Sequence, residues 1–286
     1  MLEKEKRQYF DWLRFMKKPK RNESIFKTRL SKLLRTKKLG KSIYVFDELD
    51  STQHYADSLP NNESLHGTIV IARKQNMGKG RIGRTWISPE GGLWMSIIII
   101  PDFSISDIIF TQFIGSLAVA DAVFQNTKIN CKLMWPNDIL INGKKVCGIL
   151  TDVNAENEIK KIVMGIGLNA NIESASINNY LTDDNLKATT LREEYGKDID
   201  LIILINSILE RMEYYYDSFL SCGNTLEIVD RWKEKSDMFG KKAIVYDGNQ
   251  HVMGEIIDLD QNGAMLMKLS DNSIRKIVYY DNVSLH

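Results

Sequence analysis

Three short stretches of this sequence carry residues of the kind that hold and activate anionic groups. The first, Gly78-Lys79-Gly80-Arg81-Ile82-Gly83-Arg84, sets three cations among three glycines. Backbone N–H groups in glycine-rich turns form anion nests, and guanidinium groups grip phosphate bidentately. The second is Trp135-Pro136-Asn137-Asp138, followed by Asn142-Gly143 and Lys145. Asn-Gly is a strong hairpin signal, so Asp138 and Lys145 are predicted to lie near one another across a strand pair. Such a pair is either a surface ion pair of little worth, or a Mg2+ ligand beside a phosphate clamp. The third stretch, Gly165-Ile166-Gly167-Leu168-Asn169, ends a strand with two glycines and an amide. It reads either as close strand packing or as the wall of a small-ligand site with Asn169 facing a base.

The glycine-rich stretch fails three familiar nucleotide motifs. Gly78, Gly80 and Gly83 satisfy G-x-G-x-x-G after a strand, but that fingerprint needs a helix opening at the last glycine. Here Pro89 and the pair Gly91-Gly92 make a turn instead. A P-loop would need lysine where Arg84 stands, and the kinase signatures V-A-I-K, H-R-D and D-F-G are absent from the sequence. A flexible, phosphate-holding loop remains as the reading.

These groups must be held by a fold, and the patterning indicates one. Strand-like runs cover 43–46, 68–72, 93–100, 132–135, 146–153 and 161–168. Asp50-Ser51-Thr52 reads as a capped helix start. Helical spacing covers 8–16, 25–39, 107–126, 200–221 and 225–235, with Phe26, Leu30, Leu33 and Leu34 forming a stripe on the second. The segment 107–126 is interrupted by Thr111, Gln112, Ser116 and Asp121, which fits a buried core helix better than a membrane span. This order predicts an α+β fold, a mixed sheet with helices on one face. After Lys235 come short β-type runs with turn signals at Asp247-Gly248-Asn249 and Asp260-Gln261-Asn262-Gly263, which predict a small appended barrel. The expected units are a basic helical segment over 1–40, a catalytic domain over 41–235 and a C-terminal domain over 236–286.

The chain has 286 residues, 43% hydrophobic and 26% charged, which suits a globular protein with one good core. Its net charge of +1 hides an asymmetry. Residues 1–41 hold 15 Lys/Arg against 4 Asp/Glu, and the remainder holds 23 against 33. A basic arm on an acidic body contacts nucleic acid, docks onto an acidic partner, packs onto its own body, or is simply a solvated face. Cys131, Cys147 and Cys222 lack metal-ligand spacing and are expected as packed thiols in a reducing compartment. No apolar h-region follows Met1–Arg7, and the expected location is the cytoplasm.

Taken together, Asp50-Ser51-Thr52, the run from Gln75 through the glycine loop to Trp86, Trp135-Pro136-Asn137-Asp138, Lys145-x-x-Gly148-Ile149-Leu150 and Gly165-Ile-Gly-x-Asn169 resemble biotin–protein ligase. The resemblance runs from about Ile25 to the C-terminus. Lipoate ligases share the fold but not this combination of motifs. The resemblance implies a class II synthetase-like catalytic domain with an SH3-like C-terminal barrel. It implies biotin, ATP and Mg2+ as substrates and activator, with no tightly bound prosthetic group. The implied reaction makes biotinyl-5′-AMP and transfers biotin to a lysine of a biotin carboxyl carrier protein. By the same resemblance Ser51, Thr52, Gln75 and the backbone of Gly78 bind the ureido ring, Lys79 lies against biotin or its phosphate, and Gly148, Leu150 and Gly167 line the biotin site. Arg81 and Arg84 hold the adenylate with Asn137, Trp86 closes over adenine, and Asn169 reads its edge. Lys145 neutralises the carboxylate and α-phosphate, and Asp138 serves metal or lysine chemistry.

The sequence departs from the family pattern at three places. Met134 stands where lysine commonly precedes Trp-Pro-Asn-Asp, with Lys132 as the substitute. Gln53 replaces the usual Asn after Asp-Ser-Thr. Only about forty residues precede Ile43, so a complete N-terminal DNA reader is not expected, nor DNA or a membrane among the partners; a monomer and a homodimer both remain open. Two alternatives stand beside the ligase: a lipoate or octanoate ligase, and a nucleic-acid-binding repressor.

Overall fold

The computed structural model describes residues 21–155, 158–179, 187–222, 225–247, 250–278 and 282–285. The helix expected at 8–16 and the turn at 248–249 lie outside these residues. Seven strands form one sheet: β1 (Ile43–Leu49), β2 (Ile69–Gln75), β3 (Leu93–Ile99), β4 (Lys132–Met134), β5 (Asp138–Ile141), β6 (Lys144–Ala155) and β7 (Ile159–Leu168). Their order is β1-β2-β3-β7-β6-β5-β4, parallel only between β1 and β2, so the sheet is mixed as expected.

Side chains alternate between the two faces of a strand, so the sequence of each strand sorts itself into two sets. Met95, Ile97, Ile149, Met164 and Ile166 belong to the main core. Above them lies α3 (Ile108–Thr127), where a Cβ on Gly115 would sit 2.9 Å from Met164 Sδ. α3 is apolar on nearly all sides because it is sandwiched between the sheet and two further helices, α6 (Leu201–Cys222) and α7 (Thr225–Glu234). Phe113 of α3 stacks on Trp232 of α7 with ring centres 5.0 Å apart. α3 has the length and apolarity of a membrane span, but 67% of its most apolar window is buried inside the protein, which makes it the core helix.

The opposite face carries Trp94, Ser96, Gly148, Leu150, Gly165 and Gly167. The long helices thus share one face, while α2 (Thr52–Ser58) covers one end of the other, packing Ala56 against Val70, Ile98 and Val163. Lys161 is buried under this helix and donates to the Asp57 and Leu59 carbonyls at 2.6 and 2.8 Å. It thereby satisfies orphan acceptors at the helix C-terminus. Two short helices, α4 (Ala175–Asn178) and α5 (Leu191–Tyr195), flank the far end of this face.

The N-terminal helix α1 spans Arg21–Leu33 rather than 25–39. Leu30 is fully buried, but Leu33 of the predicted stripe is exposed. The helix stops early because the N–H groups of Lys37, Lys38 and Leu39 donate to the Glu213 carboxylate instead of to a helical ladder. Arg29 pairs at 3.1 Å with Asp200, just before α6, and Lys38 at 2.6 Å with Asp217 on that helix. Among the four readings of the basic arm, residues 21–41 follow the one in which it packs onto its own body.

The C-terminal strands β8 (Lys242–Asp247), β9 (Gln250–Leu259), β10 (Met265–Lys268), β11 (Ile274–Ile277) and β12 (Asn282–Leu285) form a separate antiparallel sheet, ordered β11-β10-β9-β8-β12. The predicted turn after Asp260 forms, with Asp260 Oδ1 accepting from the N–H groups of Asn262 and Ala264. Trp135 Nε1 donates to Gly263 O in this turn at 2.9 Å, which ties the small sheet to the seven-stranded one.

Candidate active site

The glycine loop leaves β2 and returns as a backbone ladder. Gln75 N–H donates to Ser88 O at 3.0 Å, Trp86 N–H to Gly78 O at 2.8 Å, and Gly80 N–H to Arg84 O at 2.7 Å. The loop expected to be flexible is therefore pinned along both limbs. Its tip is a single 3-10 turn, Arg81–Gly83, with Ile82 at φ 54°, and no α-helix opens there. A Cβ on Gly78 would meet Trp86 O at 2.3 Å, so this glycine lets the two limbs close. Lys79 and Arg84 are exposed, whereas Arg81 is half-buried and donates to Asn137 Oδ1 at 3.3 Å.

Behind the loop lies a buried network of neutral polar groups. Ser51 caps α2, its hydroxyl accepting from His54 N–H at 3.4 Å. Gln75 Oε1 accepts from Thr52 N–H at 2.7 Å and from the Thr52 hydroxyl at 3.1 Å. Gln75 Nε2 donates to Ser88 Oγ at 2.9 Å. Ser96, wholly buried on β3, lies 2.9 Å from Thr52 Oγ1 and 3.0 Å from Gln53 Oε1. Gln53 is not a surface cap. Its Nε2 donates to Val163 O at 2.8 Å, and its Oε1 occupies the space a Cβ on Gly165 would need.

The register aligns Met134, Asp138, Gly148, Gly167 and Trp94 in one row across the sheet. Gly148, Leu150, Gly165 and Gly167 are all half-buried. Trp86 lies over the two glycines of the row: a Cβ on Gly167 would fall 2.6 Å from its Nε1, and one on Gly148 3.1 Å from its ring. The Trp86 Nε1 is buried without a hydrogen-bond partner among the described residues. Trp86 thus lies against two of the residues expected to line the biotin site.

The hairpin between β5 and β6 turns at Asn142 and Gly143, with φ of 51° and 73°, both positive as a type I′ turn requires. A bulge between Ile139 and Leu140 sets Lys145 opposite Leu140, and its Nζ still reaches Asp138 Oδ1 at 2.6 Å. The pair is 22% and 15% exposed, well removed from the surface ion pair that was its alternative reading. The same ammonium lies 5.2 Å from the centre of the Trp86 ring, within cation–π range. Lys145 is also held by its backbone, its N–H donating to Lys187 O and its C=O accepting from Thr189 N–H, each at 2.9 Å. Met134, opposite Asp138, is buried, whereas Lys132 lies beside Leu140 with its side chain exposed. The idea that Lys132 supplies the missing cation gains no support from that position.

Asn169 is buried just after β7, with Nδ2 donating to Thr189 O at 3.1 Å and Oδ1 lacking a partner among the described residues. A buried acceptor left unpaired costs free energy, which suits an atom reserved for a ligand donor. Among the described residues no three His, Cys, Asp or Glu side chains form a metal cluster, and Asp138 stands as a single carboxylate. Cys131 and Cys147 are buried thiols; burial pushes Cys131 up to about 12 and Cys147 well above its usual range. Both are packed thiols, as expected, while the Cys222 side chain lies outside the described residues.

Sequence reading missed Ser88, Ser96 and Thr189. Ser96 had a legible signal, a lone hydroxyl inside the apolar run from Leu93 to Ile100. Thr189 had none, because only the fold brings it to Lys145.

The biotin/lipoate A/B protein ligase family matches residues 45–169. The bifunctional ligase/repressor BirA of Bacillus subtilis is 34% identical over 250 residues, covering 87% of this chain and 75% of that protein. The biotin–[acetyl-CoA-carboxylase] ligase of Paracoccus denitrificans is 25% identical over 226 residues, covering 77% of this chain and 91% of that one. Among solved structures, the biotin protein ligase from Aquifex aeolicus in complex with biotin and ATP superposes with a TM-score of 0.73 at 26% identity, covering 86% of this chain and 100% of its own.

Proposed function

This chain belongs to the biotin/lipoate A/B protein ligase family, within it to the biotin–protein ligases, and we propose that its chemistry takes place along the half-buried glycine row under Trp86. It is an ATP-dependent, AMP-forming ligase that activates biotin. The observation that carries the placement is the sequence of environments along this row. A buried neutral network lies at one end, the Lys145–Asp138 pair at the other, and an apolar glycine surface between them.

Biotin has the matching shape: a polar uncharged ureido ring, an apolar body and a carboxylate. The ureido group pairs with Ser51, Thr52, Gln75 and the Gly78 backbone, where buried neutral groups reject an analogue lacking the right donors and acceptors. Its body lies on Gly148, Leu150 and Gly167. The position of Trp86 supports assigning its ring to the wall of this part of the site. The carboxylate then points at Lys145, beside Asp138.

In the first step a biotin carboxylate oxygen attacks the α-phosphorus of ATP, and the bond to pyrophosphate breaks. Lys145 neutralises the attacking carboxylate and the phosphate oxygens, and Arg81 holds the resulting adenylate, with Lys79 and Arg84 adding positive potential. The Asn169 Oδ1, lacking a protein donor, suits the 6-amino group of adenine. Mg2+ fits here in the usual mode for this ion, carried by substrate phosphates with Asp138 as the one protein carboxylate, and when bound it supplies charge neutralisation. In the second step the ε-amino group of a lysine on a biotin carboxyl carrier domain attacks the acyl carbon. The C–O bond to AMP breaks and the amine loses its proton. The catalytic unit is taken as 41–235 and the SH3-like unit as 236–286.

The lipoate alternative finds no comparable support, since the Paracoccus relative and the Aquifex structure are named as ligases for biotin. The Bacillus relative is named a bifunctional ligase/repressor; against a repressor role here stand Arg29 and Lys38 of the basic arm, which are engaged with Asp200 and Asp217 of the protein's own body. Exchange of labelled pyrophosphate into ATP tests the reading. It should depend on biotin and not on lipoate; exchange with lipoate alone would overturn it.

A further inference from the structure

The loop cation Arg81 and the hairpin residue Asn137 are 56 positions apart and meet at one hydrogen bond, Nη1 to Oδ1 at 3.3 Å. We infer that Asn137 is a positioning residue, which aims the Arg81 guanidinium and does so through an amide locked in a single orientation. This rests on the reading that Arg81 retains the adenylate.

Asn137 is buried, 7% exposed, and bound twice to the same residue of β6. Its C=O accepts from Ile149 N–H at 2.9 Å, and its Nδ2 donates to Ile149 O at 2.6 Å. A carbonyl can only accept, so the amide nitrogen must face Ile149 and the oxygen must face Arg81. Trp135, two residues earlier, is fixed as well, being fully buried and bonded to Gly263 O. Arg81, by contrast, sits at the loop tip beside two positive-φ residues, Ile82 and Gly83. The rigid hairpin thus lends the loop a fixed reference point. The bond from Nη1 to Asn137 fixes the plane of the guanidinium, and a rigid planar fork binds phosphate best from a fixed plane.

The test measures the rate at which biotinyl-5′-AMP leaves the enzyme, read as labelling of bystander lysines on an unrelated protein. Asn137→Ala should raise release about tenfold, the loss expected for a hydrogen bond to a charged group. Arg81→Gly should raise it at least as much. The double variant should release no faster than Arg81→Gly alone, because Asn137 acts through Arg81; a merely structural role would add its own effect. Should the alanine variant not fold, Asn137→Ser carries the same expectation, since its hydroxyl still faces Ile149 O but is too short for Arg81. Release at the wild-type rate from both Asn137 variants, beside a leaking Arg81→Gly, overturns the role of Asn137 alone. An Arg81→Gly enzyme that retains the adenylate overturns the Arg81 reading and this inference with it.

Discussion

At one end of the glycine row Thr52, Gln75, Ser88 and Ser96 hold one another in a buried network of neutral groups. At the other end the cations differ in depth: Lys145 is mostly buried against Asp138, Arg81 is half-buried, and Lys79 and Arg84 stand in solvent. The difference follows from desolvation. A neutral hydroxyl or amide can be buried at little cost once hydrogen-bonded, whereas an ammonium needs a partner charge or water. The neutral end therefore discriminates by shape and donor pattern and is insensitive to salt. The charged end stabilises phosphate, and only its exposed members are screened by ions.

The largest effect should come from the buried cation. Lys145→Ala should lower adenylate formation by about a thousandfold or more, the scale of losing a preorganised charge at the reacting centre. Circular dichroism should show the fold intact, and near-normal formation would remove Lys145 from its role. Next comes the surface between the ends. In Gly167→Val the new side chain would displace Trp86, and the KM for biotin should rise about a hundredfold by loss of the pocket surface. An unchanged KM would show that biotin does not lie on the glycine row.

Gln75→Ala should act at the neutral end alone. It leaves Thr52 N–H without its acceptor, so the KM for biotin should rise about tenfold. The KM for ATP should hold; a matching rise in both would erase the proposed division between the ends. The smallest effects belong to the exposed cations. Lys79→Ala and Arg84→Ala should each change the KM for ATP about two- to fivefold at low salt, and by less at about 0.5 M salt. A salt-independent loss as large as that of Lys145→Ala would place these residues in the buried site instead.

Local pattern alone made much of this protein legible. Ser51 caps its helix, Asn142-Gly143 turns the hairpin, and the apolar runs of 93–99 and 161–168 form the central strands, because each depends on residues only a few positions apart. The early end of α1 was not legible, since the acceptor that ends it is Glu213 on a distant helix. Nor was the depth of Gln53, which rests on the space left by Gly165. Nor was the contact of Trp86 with Gly148 and Gly167 legible, since it joins residues more than sixty positions apart.

What the sequence by itself determined is therefore the inventory of the site: its glycines, its cations, the Asp138–Lys145 hairpin and the mixed sheet that carries them. These follow from backbone freedom, charge and the period of apolar residues, all properties of short segments. What only the tertiary structure decided is which of these groups touch. Strand register set Gly148 beside Gly167 beneath Trp86, the crossing of loop and hairpin joined Arg81 to Asn137, and the segment after 187 closed on the Lys145 backbone. Each of those contacts joins residues far apart in the chain, and packing of the whole core selects them.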